Sequence, residues 1–171
     1  MHRPENDTND GAAVFDLASR LTQDHHQSLK LWLRMLSCTV MMEDEIRSRL
    51  RSTFDITLPR FDLMAQLERH PDGLRMGELS RRMMVTGGNI TGITRQLELE
   101  QLVSRVPDAK DRRVYSVKLT EAGRKAFAEM AAVHENWVAE LLHGVLPQDK
   151  TRMIDLLSHM KRQLYEVKNK G

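Results

Sequence analysis

Apolar residues recur at helical spacing along most of the chain, and the few places where that rhythm breaks divide it into elements. From about Asp24 to Arg51, Leu29, Trp32, Leu33, Leu36, Val40, Ile46 and Leu50 fall near a 3.6-residue period with no Pro or Gly between them, which predicts one long amphipathic helix. Thr57-Leu58-Pro59 opens a shorter helix, with a capping residue followed by proline in the first turn. Phe61, Leu63, Met64 and Leu67 form its apolar face, and His70-Pro71-Asp72-Gly73 stops it. Beyond Leu74-Arg75-Met76, a very short helix is expected over Glu78 to Met84, then a break at Val85-Thr86-Gly87 and a second helix from about Gly88 to Glu100. Two short helices joined by a tight turn containing Gly are the pattern of a helix-turn-helix.

The period then changes. Leu102 to Val106 and Val114 to Leu119 are rich in β-branched residues and partly alternate, with Pro107-Asp108-Ala109-Lys110-Asp111 between them as a hairpin loop. Thr120-Glu121 caps another long helix, striped by Phe127, Met130, His134, Trp137, Val138, Leu141 and Val145. Gly144 and Leu146-Pro147 end it, and a last helix runs from about Gln148 to Val167. The expected fold is mainly α with a small β-hairpin wing: a winged helix-turn-helix flanked by long N- and C-terminal dimerisation helices. Residues 1–23 read as a mostly disordered arm, 24–56 as the N-terminal dimerisation helix, 57–123 as the winged helix and 124–171 as C-terminal dimerisation helices. The outer helices carry more apolar face than one small domain can cover, so they are expected to bury one another across a two-fold homodimer.

Composition narrows the class. With 171 residues, 40% hydrophobic and 29% charged, 5 Pro and 9 Gly, the chain is neither collagen-like, Pro-rich nor globally disordered. No stretch is apolar enough to span a bilayer and the first residues lack a signal-peptide layout, so a cytoplasmic protein with no membrane partner is expected. The single cysteine, Cys38, excludes an intramolecular disulfide framework. The histidines form no i, i+4 pair and no His-Glu-x-x-His, and no nucleophile with its base stands out. Neither a metal, a cofactor nor an enzymatic activity is therefore expected. The net charge is only +2, but Arg75 to Lys118 holds nine basic residues against five acidic ones, a hint of a face for polyanions.

The second helix of the helix-turn-helix carries the most specific chemistry. With Ile90, Ile93 and Leu97 facing inward, the opposite face presents Gly88, Asn89, Thr91, Gly92 and Arg95. Asn pairs bidentately with adenine, Arg with guanine, and the Thr methyl meets the thymine methyl, so this face suits a major groove. Gly87, Gly88 and Gly92 each lower helix stability by about 1 kcal/mol, which close approach of the backbone to a phosphate would explain. Lys110, Arg112 and Arg113 at the hairpin tip form a compact basic group shaped for a minor groove, with Asp111 expected to pair with Arg113 and fix the loop.

Leu58-Pro59-Arg60-Phe61, the helix-turn-helix, and above all the run from Asp108 through Asp111, Arg112, Arg113, Leu119 and Thr120 to Gly123 resemble the multiple antibiotic resistance regulator (MarR) family of winged-helix repressors. The resemblance extends from about residue 24 to 168. It implies a homodimer on a pseudo-palindromic double-stranded DNA operator, released by a small-molecule effector, with Asp111 and Arg113 as the family's wing pair. Ala109 stands where proline is common and Met76 where a capping Ser or Thr is common. The resemblance also implies an effector crevice, walled here by Trp32, Arg34, Met35, Cys38, Met42, Arg60, Met64 and His134, for an aromatic carboxylate or its coenzyme A thioester. Two alternatives stand beside this reading: a helical protein-interaction adaptor, and a thiol-based oxidative-stress sensor of the same family using Cys38.

Overall fold

The computed structural model describes residues 27–107 and 114–169. The expected N-terminal arm and the tip of the wing, with Lys110, Asp111, Arg112 and Arg113, lie outside the described residues. The chain runs α1 (Gln27–Phe54), α2 (Leu58–Glu68), β1 (Leu74–Arg75), α3 (Met76–Met83), α4 (Gly87–Leu99), β2 (Val103–Pro107), β3 (Tyr115–Leu119), α5 (Glu121–Leu141) and α6 (Pro147–Asn169). It divides into two compact units, one ending at Phe127 and the other beginning at Ala128.

In the first unit α2 is the central element, touching α1, α3, α4 and β3. Its four expected apolar positions, Phe61, Leu63, Met64 and Leu67, are all buried, joined by Leu50, Leu79, Ile90, Leu97 and Val117. Phe61 also meets Phe127, ring centroids 5.4 Å apart, an aromatic pair that adds to the area both rings bury. Thr57 sits at the N-cap of α2 as expected, but its hydroxyl takes no cap hydrogen bond. Its carbonyl instead accepts from the N–H groups of Arg60 and Phe61 at 3.0 and 3.1 Å.

Two expectations need correction here. The inward stripe of α4 is Ile90, Thr94 and Leu97, with Ile93 only half-buried. A polar residue fills the stripe because the Thr94 hydroxyl donates to the Ile90 carbonyl at 2.8 Å and so enters the core already satisfied. The sheet has three strands, not two, in the antiparallel order β1-β3-β2. Two residues are too few to show alternation, so Leu74-Arg75 left no strand signal, yet Leu74 pairs with Val117 and is buried. Gly73 makes that entry possible. Its φ is +90°, and a Cβ there would come 2.8 Å from the Val117 carbonyl oxygen.

The end of α4, the start of β2 and the start of α5 meet at Thr120. Its N–H donates to the Leu102 carbonyl at 3.1 Å. Its hydroxyl donates to the Gln101 carbonyl at 2.7 Å and accepts the Gly123 N–H at 2.9 Å, capping α5. This draws α5 so close that a Cβ on Gly123 would lie 1.9 Å from the Leu102 carbonyl oxygen. The family-like run ending in Gly123 thus has a steric reason.

In the second unit the chain turns at Leu142–Leu146 and restarts on Pro147, where a missing N–H is harmless at a helix start. None of the 23 residues of α6 is buried, although Met153, Ile154, Leu156, Leu157 and Leu164 are all large and apolar.

Gly123→Ala is expected to destabilise the protein. The better helix propensity of Ala, worth about 1 kcal/mol, is outweighed by the overlap with a backbone oxygen, for which overpacking of about 1–3 kcal/mol or more is typical. Urea unfolding at fixed protein concentration should show a lower midpoint, and a higher one would contradict this packing.

Candidate nucleic-acid interface

The candidate interface is built on α4. Thr86 forms its N-cap, the hydroxyl accepting from the Asn89 N–H at 3.4 Å, and the buried Ile90, Thr94 and Leu97 anchor one side of the helix to the core. The other side is free. Gly87, Gly88, Asn89, Thr91, Gly92 and Arg95, the α4 residues that the sequence assigned to DNA binding, are all exposed. A Cβ at Gly87, Gly88 or Gly92 would meet nothing within 4 Å. Nothing inside the described fold therefore requires glycine at those three positions. The Thr91 hydroxyl donates back to the Gly87 carbonyl at 2.9 Å, which occupies its hydrogen and leaves its lone pairs to accept.

Charge is arranged around this helix by ion pairs that linear spacing did not reveal. Two carboxylates near its C-terminus are unfavourable to the helix dipole and to any polyanion nearby. Each is matched by an arginine. Glu98 pairs with Arg105 of β2 at 3.1 Å, and Glu100 pairs with Arg60 of α2, which is itself largely buried. On α3, Glu78 pairs with Arg82 at 2.8 Å. Arg95 is exposed with no ion pair among the described residues, so its guanidinium is available to a ligand. The Arg60–Glu100 pair spans 40 positions of sequence, too far for any local pattern to show it.

The MarR family model matches residues 56–115, from the start of the α2 segment to the first residue of β3. The crystal structure of a MarR family transcriptional regulator from Silicibacter pomeroyi is 33% identical, covering 84% of this chain and 99% of that one, with a TM-score of 0.70. The chain belongs to the MarR family. The transcriptional regulator BldR from Sulfolobus solfataricus is 26% identical over 85% of this chain and 99% of its own, with a TM-score of 0.72. MepR of S. aureus, solved as a DNA complex, shares the fold at 23% identity and a TM-score of 0.65, covering 83% of this chain and 99% of that one. The protein is accordingly a winged-helix, DNA-binding transcriptional regulator.

In this MarR family regulator the residues expected to wall an effector crevice fall into different surroundings. On α1, Trp32, Arg34 and Cys38 are exposed while Met35 and Met42 are half-buried. On α2, Met64 is completely buried and belongs to the core, and the Arg60 side chain is engaged with Glu100, with its Nε buried and lacking a hydrogen bond among the described residues. His134 of α5 lies in the second unit, and its half-buried setting lowers its pKa below the usual 6.5. A titrating group that sequence reasoning missed is Asp62. The residue as a whole is exposed, yet burial at its carboxyl, aided by the Glu43 carboxylate, raises its pKa above the usual 3.8.

Because the folded state holds the Asp62 proton more tightly than the unfolded chain, the stability linked to it is present at acid pH and is lost as pH rises through the raised pKa. Asp62→Asn should therefore melt higher than the parent near neutral pH, and the gap should close as pH falls below 3.8. Thermal melts of both proteins across that range check this. A gap that does not change with pH would show that Asp62 does not titrate as described.

Proposed function

We propose that this protein is a ligand-responsive repressor that binds a pseudo-palindromic operator as a homodimer in the cytoplasm and is released by a small effector, an aromatic carboxylate or its coenzyme A thioester. The observation that carries the DNA half is the outward face of α4. Asn89, Thr91 and Arg95 can address base edges, and three glycines with open space at their Cβ positions let the backbone come close to a phosphate. In this reading Lys110, Arg112 and Arg113 of the wing position the protein in the minor groove, with Asp111 holding Arg113 in shape. The DNA complex of MepR, which shares the fold, supports it.

The apolar surface of the outer helices supports the dimer. Trp32 is 55% exposed on α1, and α6 carries Ile154, Leu156 and Leu164 each more than 60% exposed without a buried residue along it. Exposed apolar side chains of this kind on each helix call for a partner, and a second copy offering the same faces can pair with them across a two-fold axis. The effector half has thinner support: Trp32, Arg34, Met35, Cys38 and Met42 together offer an aromatic ring, a cation and flexible thioethers on α1, a combination that suits a planar acid.

Recognition helices of a dimer enter major grooves about 34–36 Å apart, so the operator is an inverted repeat with half-sites about one turn apart. Arg95→Ala should relax discrimination at one symmetric pair of positions, by roughly 1–3 kcal/mol, and leave nonspecific binding nearly intact. Competition among all single-base operator variants measures this. An equal loss on every variant makes Arg95 a phosphate contact and the reading-face assignment wrong. Deleting residues 148–171 should abolish the dimer and tight operator binding together, and a truncated protein that sediments as a dimer contradicts the assembly.

A further inference from the structure

The turn between α3 and α4 reverses the chain through a helix end that demands a left-handed residue. Met84 occupies that position, with φ 55° and ψ 35°. Its N–H reaches the carbonyls of Arg81 and Ser80, the Val85 N–H returns to the Ser80 carbonyl at 3.1 Å, and the Ser80 hydroxyl donates to the Val85 carbonyl at 2.6 Å. These bonds form a Schellman-type ending, in which glycine is the residue of lowest steric cost and a side chain with a Cβ is disfavoured. Two other non-glycine residues among those described share a positive φ, Asp55 and Gln101. Aspartate tolerates that region, and the Gln101 carbonyl is held by the Thr120 hydroxyl. Met84 has neither excuse. It is 93% exposed, more than any other large apolar side chain among the described residues, so no packing inside the fold accounts for a methionine there.

Its location does. Met84 stands three residues before Gly87, the first residue of α4, within about 10 Å of chain, and the N-terminal end of a recognition helix is the end that meets base edges. We propose that Met84 is a DNA-contacting residue whose thioether chain lies against an apolar group at the edge of the major groove, either a thymine 5-methyl or a deoxyribose face. The contact extends the reading surface of α4 back across the turn. An unbranched, polarizable side chain on an exposed turn follows an irregular apolar surface well, and apolar contact to the thymine methyl is a direct form of sequence readout. The left-handed strain is then retained for binding, in the way that strained backbone gathers at functional sites. This rests on α4 being the reading helix, which Arg95→Ala tests separately.

The experiment uses the full-length protein and a duplex that it selects from a random pool. Met84→Gly and Met84→Asn should melt about 1–4 °C higher, because the left-handed strain is relieved. They should also bind the selected duplex about 5- to 30-fold more weakly. Met84→Leu, which keeps an apolar chain, should retain most of the affinity. Replacing thymines one at a time by deoxyuracil names the source. A position where the wild-type protein loses affinity and Met84→Gly does not identifies the methyl group, and no such position beside a weakened Met84→Gly identifies the sugar. Variants that melt higher yet bind as tightly as the wild type overturn the contact, and so do variants that melt lower, since Met84 would then be holding the fold. If Arg95→Ala relaxes base preference while the Met84 variants bind normally, this inference alone fails. If Arg95→Ala is also without effect, the reading helix itself has been misassigned.

Discussion

One hydroxyl group and one missing side chain hold the end of α4 against the sheet and the start of α5. Thr120 joins the carbonyl of Gln101, just past α4, to the first turn of α5 through the Gly123 N–H, and its own N–H ties the Leu102 carbonyl, just before β2. Gly123 lets these segments approach to a distance no other residue permits. Gln101, two residues past the end of α4, is itself left-handed, so the chain leaves the helix sharply enough to enter β2 two residues later. Were this junction looser, α4 could pivot on its core stripe of Ile90, Thr94 and Leu97, and its outward face would no longer be fixed relative to the hairpin.

Around that junction the first unit separates two tasks. Phe61, Leu63, Met64 and Leu67 of α2, Leu79 of α3, Ile90 and Leu97 of α4 and Leu74, Val103, Val117 and Leu119 of the sheet form the buried core, whereas the outer side of α4 is left polar, glycine-rich and open. The carboxylates that would disturb an anionic ligand are neutralised by Arg60 and Arg105 from neighbouring elements. These pairs are better understood as tuning the field around the helix than as sources of stability, since partly exposed ion pairs contribute little and a buried arginine is costly to desolvate. The Nε of Arg60 is buried without a hydrogen bond among the described residues, a desolvation cost that the ion pair with Glu100 has to offset.

Most of this was legible in the chain because it depends on short-range patterns. The 3.6 periodicity located each helix to within a few residues, and the polar, glycine-rich face of α4 followed from which positions had to be inward. The wing-to-helix run ending in Thr120 and Gly123 was recognisable, and the structure supplies its cause. What was illegible is tertiary. Leu74-Arg75 is a strand only because β3 offers an edge to it. Thr94 replaces Ile93 in the core because its hydroxyl finds the Ile90 carbonyl. Met64 stood among candidate ligand contacts and is core, while Arg60 meets Glu100 across 40 positions. Met84 was read only as the end of a helix, because its left-handed backbone and its exposure cannot be seen in a sequence pattern.

The most direct test of the central junction is Thr120→Val, which keeps the shape of the side chain and removes the hydroxyl. It should leave the Gln101 carbonyl and the Gly123 N–H without their partner. The urea midpoint should fall by an amount equivalent to about 1–3 kcal/mol, with faster amide exchange at Gly123 and weaker binding to a selected operator duplex. A variant with the parent's midpoint, an equally protected Gly123 amide and unchanged operator affinity would contradict the claim that this junction fixes α4.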